Sequence, residues 1–175
     1  MENLDPNKIV LQQGLQYEFE RNFTKSLNVF QSDTAKWYRE KALLHFKLGH
    51  TEIAYSYFDS LRIEKEDDLS RESKNAGALR NLGIAYAGLA RKAEAIEKGL
   101  ESVEILPLSK DAFAGIFGVE NMAEIYTMVS EYDKAIDQLE LLLSIPSDIT
   151  EQRLRLDSVW DPLRKHPRFK LLVEN

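Results

Sequence analysis

Arg39, Arg80 and Glu120 each stand three residues before a small residue, Ala42, Gly83 or Ala123, and Leu43, Ile84 and Glu124 each stand one residue after it. An arginine at such a place can grip a carboxylate bidentately, because its planar guanidinium matches the two oxygens. Asn81 and Asn121 can bond the backbone of an extended peptide, Leu43, Phe46 and Ile84 can bury an apolar side chain, and Lys36 adds positive charge nearby. With Glu120 and Glu124 these residues set basic and acidic ends opposite each other and form the candidate peptide-binding set. In the competing arrangement Arg39, Arg80 and Glu120 pair with one another across adjacent helices, where exposed ion pairs contribute only about 0 to 1 kcal/mol.

Other chemistry finds little support. The chain has no G-x-S-x-G, P-loop, H-E-x-x-H or Gly-rich dinucleotide turn, so no catalytic residue is assigned and a non-enzymatic role is expected. Zero cysteines remove disulfides, thiol nucleophiles and sulfur-ligated metals together and fit a reducing compartment. His45 fills a slot that holds Tyr elsewhere and reads as a packed ring with one polar contact; His50 sits in a turn and His166 precedes Pro167, so neither a metal nor a cofactor is expected. The acidic run Glu64 to Asp68 lacks the glycine turn and final bidentate Glu of a calcium loop and reads as solvated charge. Asn22-Phe23-Thr24 matches a glycosylation sequon, but at a helix turn in a chain without a secretory signal. A formal charge of -6 with interleaved signs argues against nucleic acid, which needs clustered Lys and Arg. Residues 1–30 lack the basic start and apolar core of a signal peptide, and no run is long enough to span a membrane. A cytoplasmic protein with no membrane insertion is therefore expected, and nothing excludes a neighbouring domain.

The elements that must position the candidate set are helices. Apolar residues recur at helical spacing, strand-like alternation is absent, and Gly and Pro sit at turns, so the fold class is all-α. Leu82, Gly83, Tyr86, Leu89, Ala95 and Pro107 return in order as Met122, Ala123, Tyr126, Val129, Ala135 and, one place early, Pro146. Four helix pairs follow. Each inner helix carries a small residue, Gly14, Ala42, Gly83 or Ala123, and each partner helix answers with Ser26, Ala54, Ala95 or Ala135, so that two backbones can approach closely. A larger ring stands three residues beyond each inner small residue: Tyr17, His45, Tyr86 and Tyr126.

These units are placed at about 7–34, 35–68, 70–109 and 111–147, with a cap at 148–175, in one domain. The charged stretch EKEDDLSRES reads as a loop, with the next helix starting near Ser70 and Glu72 in its first turn. Asp111 opens a long helix running to about Val129. Asp148-Ile149-Thr150-Glu151 has capping-box spacing for a short helix, and Asp161-Pro162 and His166-Pro167 each place Pro where a first turn accepts it, giving a tail of two short helical turns. Trp160, Leu163, Phe169 and Leu172 are expected to cover the apolar edge of the last unit; the rival reading docks WDPLR into a neighbouring groove as a ligand. Leu11, Leu15 and Phe19 make an apolar opening at the N-terminal end, fit for a partner helix, a second copy of the chain as a homo-oligomer, or an upstream segment.

The Leu-Gly, Tyr, Ala and Pro landmarks resemble the tetratricopeptide repeat (TPR), a helix–turn–helix unit of about 34 residues. The resemblance is strongest in the third and fourth units, continues in the second through Gly49, Ala54 and Phe58, and reaches the first through Gly14, Tyr17, Ser26 and Phe30. The inner small residues are separated by 28, 41 and 40 residues, which implies a short first outer helix, insertions at later joints and an irregular pitch. The resemblance implies a right-handed superhelix of about four antiparallel helix pairs, a TPR-like α-solenoid, whose concave groove binds a protein or peptide partner and would be lined by the candidate set. Likeness to carboxylate-clamp TPR domains is partial, since the Lys and Asn expected on the first inner helix are here Leu11 and Leu15. Asp161-Pro162-Leu163-Arg164 and Pro167-Arg168-Phe169 resemble the segment closing the TPR regions of bacterial TolB-associated regulators, adenylate cyclases and serine/threonine kinases. That second resemblance implies an accessory region for protein contacts in a signalling or regulatory system. The alternative function is a sensory module holding a small effector in the groove, where Ala87 and Gly88 lack bulk and leave space.

Overall fold

The computed structural model describes residues 5–33 and 36–174, so the expected boundary at 34/35 and the final residue, 175, lie outside the described residues. Among the described residues all regular structure is helical: α1 (Pro6–Phe19), α2 (Phe23–Ser32), α3 (Tyr38–Lys47), α4 (Thr51–Arg71), α5 (Ala76–Gly88), α6 (Lys92–Ile105), α7 (Ala112–Met128), α8 (Tyr132–Ser144), α9 (Glu151–Leu156), a 3-10 helix over Ser158–Leu163 that we term the strap, and α10 (Pro167–Val173). Consecutive helices pack as the pairs α1/α2, α3/α4, α5/α6 and α7/α8, and each pair leans on the next through α2 on α3, α4 on α5 and α6 on α7. No helix among the described residues is long and apolar enough to cross a membrane.

The small residues sit at the close crossings. Gly14, Ala42, Gly83 and Ala123 are buried, as are Ser26, Ala54, Ala95 and Ala135. Ser26 Oγ donates to the Gly14 carbonyl at 2.9 Å, so the hydroxyl is satisfied at the tightest point of the first pair. A Cβ added at Gly83 would lie 2.7 Å from Ile125 Cδ1 and 3.1 Å from the Ala95 carbonyl oxygen. Tyr86 is buried between helices, its hydroxyl donating to Glu66 at 2.9 Å, and Tyr126 packs half-buried where the two larger cores meet.

One turn geometry joins all four pairs. The carbonyl of each ring residue, Tyr17, His45, Tyr86 and Tyr126, accepts from the N–H five residues on, that of Asn22, His50, Arg91 or Glu131, at 2.8–2.9 Å. The residue before each donor is left-handed: Arg21 (φ 56°), Gly49 (76°), Ala90 (61°) and Ser130 (63°). This is the helix-ending motif that normally takes Gly, yet only one position has it. Ala90 is exposed, and the left-handed conformation costs an L-residue roughly 1–2 kcal/mol, while the extra freedom of unfolded Gly offsets about 0.4–1 kcal/mol of any gain. Ala90→Gly is expected to raise stability by up to about 1 kcal/mol, read as a higher urea midpoint at unchanged slope.

The expected boundaries are corrected in two stretches, 64–76 and 148–167. The stretch 64–73 is not a loop: α4 continues to Arg71, and α5 begins at Ala76, capped by Asn75 Oδ1 on the Ala78 N–H (2.9 Å), not near Ser70. Its charges pair along the helix, Arg62 with Asp59 (2.8 Å) and Glu66 (2.7 Å), Lys65 with Asp68 (2.9 Å), and Arg71 with Asp67. Spacings of three and four residues turn a polar run into a stable helical face. The tail holds three short helices rather than two turns, and α9 is capped by Thr150, whose Oγ1 accepts from Arg153 N–H at 3.1 Å, rather than by Asp148. Pro167 takes the first position of α10, but Pro162 lies inside the strap, which Asp157 caps. Asp111 opens α7 as expected.

The tail covers the last pair. Trp160, Leu163 and Phe169 are buried in one core with Ala135, Ile136, Leu139 and Leu142 of α8, and Leu172 packs against it partly buried.

Candidate functional site

The inner helices α3, α5 and α7 lie side by side, α5 touching both neighbours. Arg39 of α3 is ion-paired with Glu124 of α7, a bar that joins the two helices and raises the Arg39 pKa through the adjoining carboxylate. Glu124 is 5% exposed and its Oε1 has no hydrogen-bond partner. Glu120 pairs with Arg153 of α9 at 2.5 Å; burial raises its pKa, while Arg153 pulls it the other way. Arg39, Arg80 and Glu120 thus do not pair with one another. Two of them found partners that spacing along the repeats did not suggest, one of them in the tail.

Arg80 carries no ion pair among the described residues. Burial lowers its pKa, and so does the neighbouring Arg39. Its guanidinium stands 6.0 Å over the Phe117 ring, which meets Phe113 edge-on at 5.8 Å, and Phe113 is 77% exposed. A half-buried cation beside two accessible rings is a place where a carboxylate and an apolar group can be received together.

The remaining candidates are dispersed. Asn81 donates to the Gly77 carbonyl of its own helix at 3.1 Å, Asn121 is buried with Oδ1 unpartnered, and Lys36 swings out toward Glu64 (3.5 Å) and the Tyr38 ring. Ile84 does not face the groove. It is fully buried in the core, because α5 is covered on nearly every side from Leu82 to Gly88. Leu43, Phe46 and Glu124 lie in the wall of a cavity of about 620 Å³ that Ala87 and Gly88 also line.

The strap forms the facing wall of that cavity through Ser158, Val159, Asp161 and Pro162. It spans from the last pair to the first: Arg21 in the α1–α2 turn donates twice to Asp161 (2.7 and 2.8 Å), and Lys47 at the end of α3 donates to Ser158 Oγ (2.6 Å) and to Glu18 (3.0 Å). The Arg21 bonds hold the Asp161 carboxyl below its ordinary pKa. A cap for the last unit was legible in Trp160 and Leu163; the crossing of the inner face was not, since its partners are separated by more than a hundred residues.

His45 packs as a ring, stacked 5.5 Å from Tyr57, with Nδ1 3.2 Å from His50 Nδ1; burial lowers its pKa and His50 adds to this. Among the described residues no group of three or more His, Asp or Glu side chains gathers as metal ligands.

Comparison with family models finds no match to this sequence, and comparison with curated proteins finds none either. The functional reading therefore rests on the geometry of the inner face.

Proposed function

We propose that the chain is a TPR-like right-handed solenoid and acts, without catalysis, as an interaction module that binds a peptide or protein segment on the inner face of α3, α5 and α7. The observation that carries this reading is Arg80, a half-buried guanidinium with no ion pair among the described residues, beside Phe117 and the exposed Phe113. Desolvation strengthens a bidentate Arg–carboxylate contact, and the rings offer a seat for the adjoining side chain. The ligand class is thus an acidic segment, with an Asp, a Glu or a free C-terminal carboxylate next to an apolar residue. The Arg39–Glu124 bar, already neutral, positions α3 and α7 around the site rather than gripping the ligand. The resemblance of the tail to regions closing bacterial TPR segments supports an accessory role in a signalling or regulatory system.

Selection from a random peptide library tests this. Peptides enriched on the wild-type chain are expected to carry a carboxylate beside an apolar residue and to bind Arg80→Glu at least about tenfold more weakly, with the melting curve unchanged. Enrichment of the same peptides on both proteins would refute it.

A further inference from the structure

We infer that the cavity between the inner helices and the strap is a binding site for a small neutral aromatic molecule. The site is permanent, because Trp160 and Leu163 are buried and Asp161 is held by Arg21, so the strap is a fixed wall and not a transient cover. A volume of about 620 Å³ falls in the range of small-molecule sites. Leu43, Phe46, Ala87, Gly88, Met128 and Val159 make the lining mainly apolar, and the rings of Tyr55 and Tyr132 add aromatic surface. Ala87 presents only a methyl group to the cavity, while at Gly88 the Phe58 ring of the core takes the place a Cβ would have.

Charge in the wall is already balanced. Lys47 is paired with Glu18, Lys92 with Glu131, Asp161 with Arg21, and Glu124 with Arg39. A neutral ligand therefore meets no uncompensated charge. The unpartnered Glu124 Oε1 is enclosed by protein atoms and presents no surface to the cavity. A charged ligand would lose hydration with no free counter-charge in the wall to receive it, so a neutral molecule is favoured over a charged one built on the same ring. Arg80 is not among the residues lining this cavity, so the inference goes beyond the peptide reading and stands or falls apart from it.

Indole is the probe, with indole-3-acetate as the same ring carrying a charge. In amide NMR titrations of the full chain, indole is expected to give saturable shifts at Leu43, Ala87, Thr127 and Val159, and indole-3-acetate to bind about tenfold more weakly. Ala87→Leu, filling the cavity from α5, and Val159→Phe, filling it from the strap, should each abolish the response, whereas Arg80→Glu should leave it intact. Absence of saturable shifts at these residues, equal affinity for the two probes, or undiminished binding in whichever filled variant remains folded would overturn the assignment.

Discussion

Gly83→Leu is expected to cost about 3 kcal/mol or more, because the new side chain has nowhere to go at the α5–α6 crossing. Its Cβ alone would stand 2.7 Å from Ile125 Cδ1, which can rotate, and 3.1 Å from the Ala95 carbonyl oxygen, which belongs to a helix backbone and cannot. Relief requires α5 to back away from α6, and α5 is also pressed against α3, α4 and α7. The better helix propensity of Leu over Gly, about 1 kcal/mol, does not offset this. For a chain of this size the melting temperature should fall by roughly 10 °C. An unchanged melting temperature would mean that the pairs do not approach closely, and the repeat geometry would fail with it.

Trp160→Ala is expected to be as damaging, with a loss of about 3–5 kcal/mol, since a fully enclosed indole is removed from the core that joins the tail to α7 and α8. The indole Nε1 has no hydrogen-bond partner, so the contribution is apolar packing. Trp160→Phe should therefore retain most of the stability, while Trp160→Ala should lower the melting temperature and loosen the strap, seen as faster amide exchange at Val159 and Asp161. Deleting residues 158–175 should bare Leu139 and Leu142 and cause aggregation. Were the deleted chain as stable as the full one and merely unable to self-associate, the tail would be a ligand for another copy and not a cover for the last pair.

The features legible in the sequence were those fixed by local contact. Gly83 and Ala95, or Ala123 and Ala135, must be small because two helix axes meet there, and that requirement repeats with the hairpin. The left-handed turns were legible only at Gly49, since Arg21, Ala90 and Ser130 adopt the same conformation without the residue that announces it. The stretch after Glu64 misled through composition: polar residues suggest solvent, but Arg62, Lys65 and Arg71 spaced to meet acids one turn away sustain a helix. The offset of Ile84 from Gly83 matches that of Leu43 from Ala42 and points to the same face. Periodicity locates one apolar face, whereas α5 is enclosed by neighbours on several sides, and only packing shows which of its residues remains accessible. Glu120–Arg153 and Arg21–Asp161 join distant segments, and no local pattern encodes such pairs.

The proposal that the inner face reads an acidic ligand through Arg80 is tested most directly by a double-mutant cycle. An acidic peptide selected on the wild-type chain, and its counterpart with the carboxylate converted to an amide, are titrated against wild type and Arg80→Gln. A coupling energy of about 1.5 kcal/mol or more between Arg80 and the carboxylate is the expected result. A coupling indistinguishable from zero, with amide and acid losing equally on substitution, would contradict it.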